Sequence, residues 1–274
     1  MAPDLSELTV LIRGGGEMAS GIAHRLKRCH MRVLITEVAA PTTVRRAVAF
    51  AEAVFQGRHA IEGVEAVRVS SPEEAAAIWK KGGIPLFVDP EARVREAIRP
   101  EVIVDAIMAK KNTGTDKSQA GLVVGVGPGF RAGANVHAVV ESNRGHNLGR
   151  VLWEGEAEQD TGIPAPVGGY SEERVLRVPK EGLFKALREI GDMVSVGEAV
   201  AQVNGVPLQA RIGGVLRGLL KDGIKVEEGM KAGDIDPRGE RGYCYMISDK
   251  ARAIAGGVLE AILHSLKDPR FRSA

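Results

Sequence analysis

Through the first 160 residues, short apolar β-type runs alternate with stretches of helical spacing. The first run, residues 8–12, leads into Gly14-Gly15-Gly16. Met18, Ile22 and Leu26 then recur at helical spacing, and residues 32–35 form a second run. Further runs occupy 66–69, 85–88, 102–106, 121–126, 136–141 and 150–153. Strands of this kind, bounded by turn residues and separated by helices, predict βαβ units around a parallel sheet. Ser71-Pro72-Glu73-Glu74 offers an N-cap hydroxyl, proline at N1 and an acid at N3, which predicts a helix over 75–81. Residues 1–160 are therefore read as a Rossmann-like nucleotide-binding domain with a mostly parallel sheet, the strands after Asp105 being candidates for antiparallel pairing.

Residues 158–170 hold Pro164, Pro166, Gly162, Gly168 and Gly169, a density that breaks helix and strand alike and marks a linker. A regularity follows it. Gly182-Leu183-Phe184, Gly191, Val194 and Gly197 recur as Gly214-Val215-Leu216, Gly223, Val226 and Gly229, at a constant offset of 32, with Val203 echoed by Ile235. Two copies are too few for a solenoid, which needs about three repeats. The pattern resembles the barrel-sandwich hybrid of biotinyl and lipoyl carrier domains, so residues 171–245 are read as an all-β domain of that type. Carrier domains present a modified lysine between their half-motifs; residues 203–209 contain none, which argues against covalent biotin or lipoate. Ile254, Val258, Ile262 and Leu266 predict a final helix, within 246–274, packing on the core.

Charge changes the picture by exclusion. Lys plus Arg number 37 against 35 Asp plus Glu, so no electrostatic footprint for nucleic acid or an anionic membrane exists. The longest uncharged run, residues 118–130, is too short to span a bilayer, and residues 1–5 lack a signal-peptide pattern. Cys29 and Cys244 are far apart and outside any CxxC spacing, so neither a disulfide framework nor a structural zinc is expected. These readings predict a cytoplasmic protein.

The chemistry-bearing residues cluster after strands. Gly14-x-Gly16-x-x-Ala19 fits the dinucleotide fingerprint, with Gly15 and Ser20 in the same loop and helix start. Backbone N–H groups there suit a pyrophosphate. Glu37, 23 residues beyond Gly14, suits a ribose hydroxyl, whereas Glu17 sets a carboxylate at the mouth of the anion seat. The alternative is a turn that only closes a strand onto a helix. Asp89 and Asp105 end strands, and Lys110, Lys111 and Asn112 follow as candidate phosphate contacts, with Lys110 a candidate base; a solvated basic loop is the alternative. Gly127 and Gly129 follow the next strand; Arg144 suits a bidentate anion contact and His146 a proton shuttle. His137 reads as a core histidine. Asp234 and Asp236 share one strand face and are read as capping the following turn rather than binding a cation. No metal-ligand spacing and no Gly-x-Ser-x-Gly elbow occurs.

Five segments together resemble one family. They are 13–26 (RGGGEMASGIAHRL), 105–115 (DAIMAKKNTGT), 125–150 (GVGPGFRAGANVHAVVESNRGHNLGR), 233–238 (GDIDPR) and 248–261 (SDKARAIAGGVLEA). They are similar to the YqeB-like selenium-dependent molybdenum hydroxylase maturation proteins, which carry Asp where this chain has Glu17. The resemblance implies an accessory protein with a molybdenum hydroxylase as client. Its ligand would be a nucleotide-type small molecule such as NAD(P) or a molybdopterin dinucleotide. A free-standing NAD(P)-dependent oxidoreductase and a non-catalytic scaffold are the alternatives, and homo-oligomerisation stays open.

Overall fold

The computed structural model describes residues 4–160, 162–268 and 270. It divides into two compact units: one of residues 1–39, 50–160 and 247–274, the other of 40–49 and 161–246. The 158–170 linker reading includes Thr161, which lies outside the described residues.

In the first unit, β1 (Thr9–Arg13), α1 (Glu17–Arg28) and β2 (Arg32–Glu37) are followed by the one-turn helix α2 (Ala53–Gln56), the hairpin β3 (Arg58–Ile61) and β4 (Val64–Val69), and α3 (Pro72–Lys80). Then come β5 (Ile84–Val88), the one-turn α4 (Arg95–Ile98), β6 (Val102–Asp105), β7 (Leu122–Val126), the short β8 (Arg131–Ala132), β9 (Ala138–Val140), β10 (Val151–Leu152) and β11 (Gly155–Glu156). Nine of these strands form one sheet in the order β10-β9-β7-β6-β1-β2-β5-β4-β3. The inner seven are mutually parallel, while β10 and β3 pair antiparallel at the two edges. β1, β6 and β7 are buried along their whole length, as strands covered on both faces must be, which explains their unbroken apolar runs.

Each helix that forms has a local reason. Ser71 caps α3 by accepting from the Glu74 N–H (3.3 Å), and Glu74 reaches back to the Ser70 N–H (2.7 Å) rather than to Ser71 itself. Trp79 anchors α3 to the sheet through its indole N–H, donated to the Val33 carbonyl at 2.8 Å. The last helix, α5 (Asp249–Ser265), is capped by the Ser248 hydroxyl and crosses α1 and the β7-β9-β10 side of the sheet. Close approach at that crossing requires glycine. A Cβ on Gly257 would stand 2.1 Å from the Gly149 carbonyl oxygen, and one on Gly21 2.8 Å from Ala251 Cβ.

The second unit contains β12 (Val175–Arg177), β13 (Gly182–Ala186), β14 (Met193–Val194), β15 (Ala199–Val203), β16 (Val206–Gln209), β17 (Gly214–Leu219), β18 (Lys225–Val226) and β19 (Lys231–Asp236). They make two four-stranded antiparallel sheets, β12-β19-β17-β14 and β16-β15-β13-β18, around Phe184, Val200, Val203, Leu216, Leu219 and Ile235. The offset of 32 acquires a physical meaning here. Gly182 pairs with Val226, and its echo Gly214 pairs with Val194, so each half-motif lends its first strand to the second strand of the other. Asp236 accepts from the Arg238 N–H at 3.1 Å, capping the turn as read, and Asp234 pairs with Arg174 and Arg217.

The expected fold, a Rossmann-like domain plus a barrel-sandwich hybrid, is corrected by this topology. The first unit is a mixed sheet with an antiparallel strand at each edge. Its crossovers from β6 to β7 and from β7 to β9 contain no α-helix, although parallel pairs usually cross over through one. α5, from much further along the chain, covers that side instead. Within the large sheet β7 and β9 stay parallel and β10 reverses, while β8 and β11 form a separate antiparallel pair. The second unit is two antiparallel sheets extended by β12 and by residues 40–49. Val44 takes the Leu219 N–H at 2.9 Å, a contact no pattern within 171–245 announces.

The two adjacent glycines of α5 provide a paired test. Gly257→Ala is expected to destabilise by about 1–3 kcal/mol through overpacking. Gly256→Ala, with nothing within 4 Å of its Cβ position, is expected to be neutral or stabilising by up to about 1 kcal/mol. Urea unfolding of both variants checks the difference.

Candidate functional site

Because the inner strands are parallel, their carboxyl ends share one rim, where α/β sheets bind ligands. Arg13 and Asp105 are register partners there, and their side chains meet at 3.1 Å, 4% and 1% exposed. The Thr115 hydroxyl donates to the same Asp105 oxygen at 2.5 Å, and Arg13 also donates to the Pro90 carbonyl at 3.2 Å. This buried network pins the loop that follows β6.

The glycine loop lies at the end of β1, and its polar groups are largely used within the chain. The Gly15 N–H donates to Glu37 Oε2 at 2.7 Å, and the Gly15 carbonyl accepts from Ala51 N–H (2.8 Å) and the Ser20 hydroxyl (3.0 Å). Ser20 Oγ in turn accepts the Phe50 N–H at 2.7 Å. Gly14, at φ +91°, lies against Ile107, and a Cβ on Gly15 would stand 2.9 Å from the Ala51 nitrogen. Gly16 forms the N-cap of α1, Glu17 its first turn, and Ala19 is fully buried. Glu37 thus turns inward onto the loop. Burial pushes its carboxyl above the ordinary value of 4.5, against the Val38 and Gly15 N–H groups that favour the charged form.

A second group gathers at the ends of β6, β7 and β9. Gly129 stands so close to Lys111 that a Cβ would lie 2.7 Å from the Lys111 Cα, and Gly127 abuts Ser142. Lys110 forms an ion pair with Asp160. Asn112 closes its own turn, accepting from Gly114 and Thr115 N–H at 2.9 and 2.8 Å, so it faces its own loop. Arg144 makes the bidentate contact expected of it, but with Asp249, both bonds 2.8 Å, which ties this rim to the start of α5. His146 is exposed on the same loop. His137 accepts the Val123 N–H at 2.9 Å, a satisfied structural histidine.

Between these loops lies a recess of about 90 Å³, lined by Met108, Lys110, Ser142, Glu158, Asp160 and Lys250 among others. Pockets for whole drug-sized ligands run from about 300 to 1,000 Å³, so this one admits the head of a larger molecule. Met108 and Lys110 both have left-handed backbones, φ 63° and 61°. Non-glycine residues held so are strained, and such strain clusters at functional sites. Asn147 and Asn143 hydrogen-bond the Glu158 carboxylate and hold it below the usual carboxylate range. A wider cleft of about 250 Å³, lined by Arg25, Arg28 and Arg252, flanks α1. It contains none of the rim residues.

Sequence reasoning missed Lys250, Ser142, Glu158, Asp160 and Met108. Lys250 did carry a signal, since a cation in the first turn of a helix opposes the macrodipole. Met108 and Ser142 lie within the segments 105–115 and 125–150 already singled out, whereas Glu158 and Asp160 fall in the stretch read as a linker. Among the described residues, no three His, Cys, Asp or Glu side chains come together to hold a metal ion, and no helix is long and apolar enough to cross a membrane.

These features define a class: a mixed α/β sheet unit with a charged recess at its strand ends, joined in one chain to an antiparallel β unit. Among known proteins, YqeB of Escherichia coli K12, described as uncharacterized, is 45% identical over 254 residues, 93% of this chain. The similarity runs over nearly the whole of this chain, which spans about half, 47%, of the length of that relative. No family model matches it. Among solved structures, it is similar to the ectoine utilization protein EutE (DoeB) of Ruegeria pomeroyi at 11% identity, 83% of this chain, 84% of that one, and a TM-score of 0.25. A succinylglutamate desuccinylase/aspartoacylase of Rhodobacter sphaeroides stands at 11% identity, 83% and 85% coverage, and a TM-score of 0.27. Likeness at that level describes neither the fold nor the site of this chain.

The inward carboxylate gives a pH test. A carboxyl whose pKa is raised by folding binds its proton more tightly in the native state, so it lowers stability as pH rises above 4.5 and through the folded value. In Glu37→Gln that term is absent. The stability of the native protein relative to this variant is expected to fall as pH rises above 4.5. Urea unfolding at a series of pH values measures it; a constant difference would contradict the inward, desolvated placement.

Proposed function

We propose that the chain is an accessory protein in the maturation of selenium-dependent molybdenum hydroxylases and that its first unit binds a phosphate-bearing, nucleotide-type cofactor. The ligand's phosphate end sits at the rim beyond β6, β7 and β9, with Lys110, Lys111 and Arg144 supplying positive charge. A molybdopterin dinucleotide or NAD(P) carries the required pyrophosphate. The client hydroxylase would receive the cofactor from this protein.

One observation supports this reading above the others. Four of the five segments that carry the family resemblance, 13–26, 105–115, 125–150 and 248–261, contribute to a single rim of the first unit, linked by Arg13–Asp105 and Arg144–Asp249. Segments separated by as many as 105 positions between ion-pair partners share that rim, which a purely structural resemblance spread over the core would not favour. The inward bonds of Gly15 and Glu37 also support moving the ligand's charge from the glycine loop to the cationic side of the rim.

Thermal denaturation with NAD, NADP, ATP, CTP and molybdopterin cytosine dinucleotide tests the reading. A ligand at 100 times its Kd stabilises by roughly 2.7 kcal/mol. At about 2–4 °C per kcal/mol, a rise in Tm of roughly 5–10 °C is expected with the molybdopterin dinucleotide. A rise confined to NAD or NADP would favour an oxidoreductase, and none with any of them would overturn the ligand-binding reading.

A further inference from the structure

Lys250 differs from the paired cations of the rim and from Lys111, which is exposed. Lys110 has Asp160 and Arg144 has Asp249, whereas the Lys250 ammonium makes no hydrogen bond or close ion pair among the described residues. It is half-buried, lines the recess, and sits in the first turn of the 17-residue helix α5, the end where the helix dipole repels positive charge. A lysine placed there for packing or solubility alone would be a poor choice, since burial of an unpaired ammonium is costly.

We propose that the recess takes a ligand with an aldehyde or ketone group and that Lys250 Nζ captures its carbonyl carbon as an imine. The inference deepens the phosphate-binding reading above and rests on the same rim. The nitrogen lone pair attacks the carbonyl carbon while the C=O π electrons move to oxygen, which takes up a proton. The resulting carbinolamine loses its hydroxyl as water, and the nitrogen loses protons as the C=N bond forms. The step consumes no oxidant or reductant. The carboxyl groups of Glu158 and Asp160, lining the same recess, are the proton carriers within reach of its walls.

The surroundings favour a neutral amine. Burial pulls the Lys250 pKa below its ordinary value of 10.5, and the Arg144 guanidinium adds to the effect. Glu17 from α1, Glu141 beyond β9 and Asp160 beyond β11 oppose it. A buried lysine shifted in this way is the type of side chain that serves as a Schiff-base former.

The probe is pyridoxal 5′-phosphate, an aldehyde carrying a phosphate, with borohydride reduction of the imine and peptide mapping of the full chain. At pH 7, labelling of Lys250 is expected to be roughly tenfold faster than that of the exposed Lys80 and Lys81, because burial favours its neutral, nucleophilic form. Lys250→Met, with its melting temperature measured beside it, is expected to fold and to lose this fast labelling. Labelling of Lys250 no faster than Lys80 and Lys81 would overturn the proposal, as would fast labelling elsewhere that survives in Lys250→Met. Nucleotide-induced thermal shifts on the same samples separate the two readings. Selective labelling without a shift supports the amine and counts against the nucleotide, while a shift without selective labelling does the reverse.

Discussion

The rim depends on one buried ion pair. Arg13 at the end of β1 and Asp105 at the end of β6 face each other across adjacent parallel strands, both almost without exposure. Burying two charges costs several kcal/mol per ion unless their remaining hydrogen-bonding capacity is met. Here Thr115, Pro90 and Thr113 take the two Arg13 Nη groups, its Nε alone staying without a partner, and Thr115 and the Ile107 N–H bond Asp105. Meeting that demand draws in the turn after β5 and both ends of the 106–115 loop. The loop's left-handed residues, Met108 and Lys110, are held in place between those anchors.

Much of the first unit was legible because parallel, doubly covered strands announce themselves as unbroken apolar runs. β1, β2, β4, β5, β6 and β7 fall within two residues of their expected bounds. The helix α3 was legible through its Ser71 cap, and α5 through the helical spacing of Ile254, Val258 and Ile262. β3 was not, since Arg58, His59 and Ala60 at an exposed edge present no buried face. The fold class failed for a related reason. Strand patterns show that strands exist but not that the β6–β7 and β7–β9 crossovers lack helices, nor that α5 would cover that side. The 32-residue repeat was visible as sequence; its exchange of strands and the contribution of residues 40–49 are long-range facts.

The site was legible in its loops and less so in its roles. The helix-free β6–β7 crossover carries Lys110 and Lys111 at the strand ends, and the β9–β10 connection carries Arg144. Spacing alone could not tell that Glu37 would bond Gly15, that Asn112 would close its own turn, or that Arg144 would find Asp249. A carboxylate at ribose distance in sequence and one that plugs the loop look identical before folding. Lys250 lies more than 100 residues from the loops it joins, and only the placement of α5 brings it to them.

The most direct test of where the chemistry resides is hydrogen exchange of the full chain with and without saturating inorganic pyrophosphate, read peptide by peptide. The account predicts added protection over 106–112, 141–146 and the first turn of α5, with residues 14–20 and 37–38 unchanged. Protection confined to 14–20 and 37–38 would contradict it and return the anion to the glycine loop.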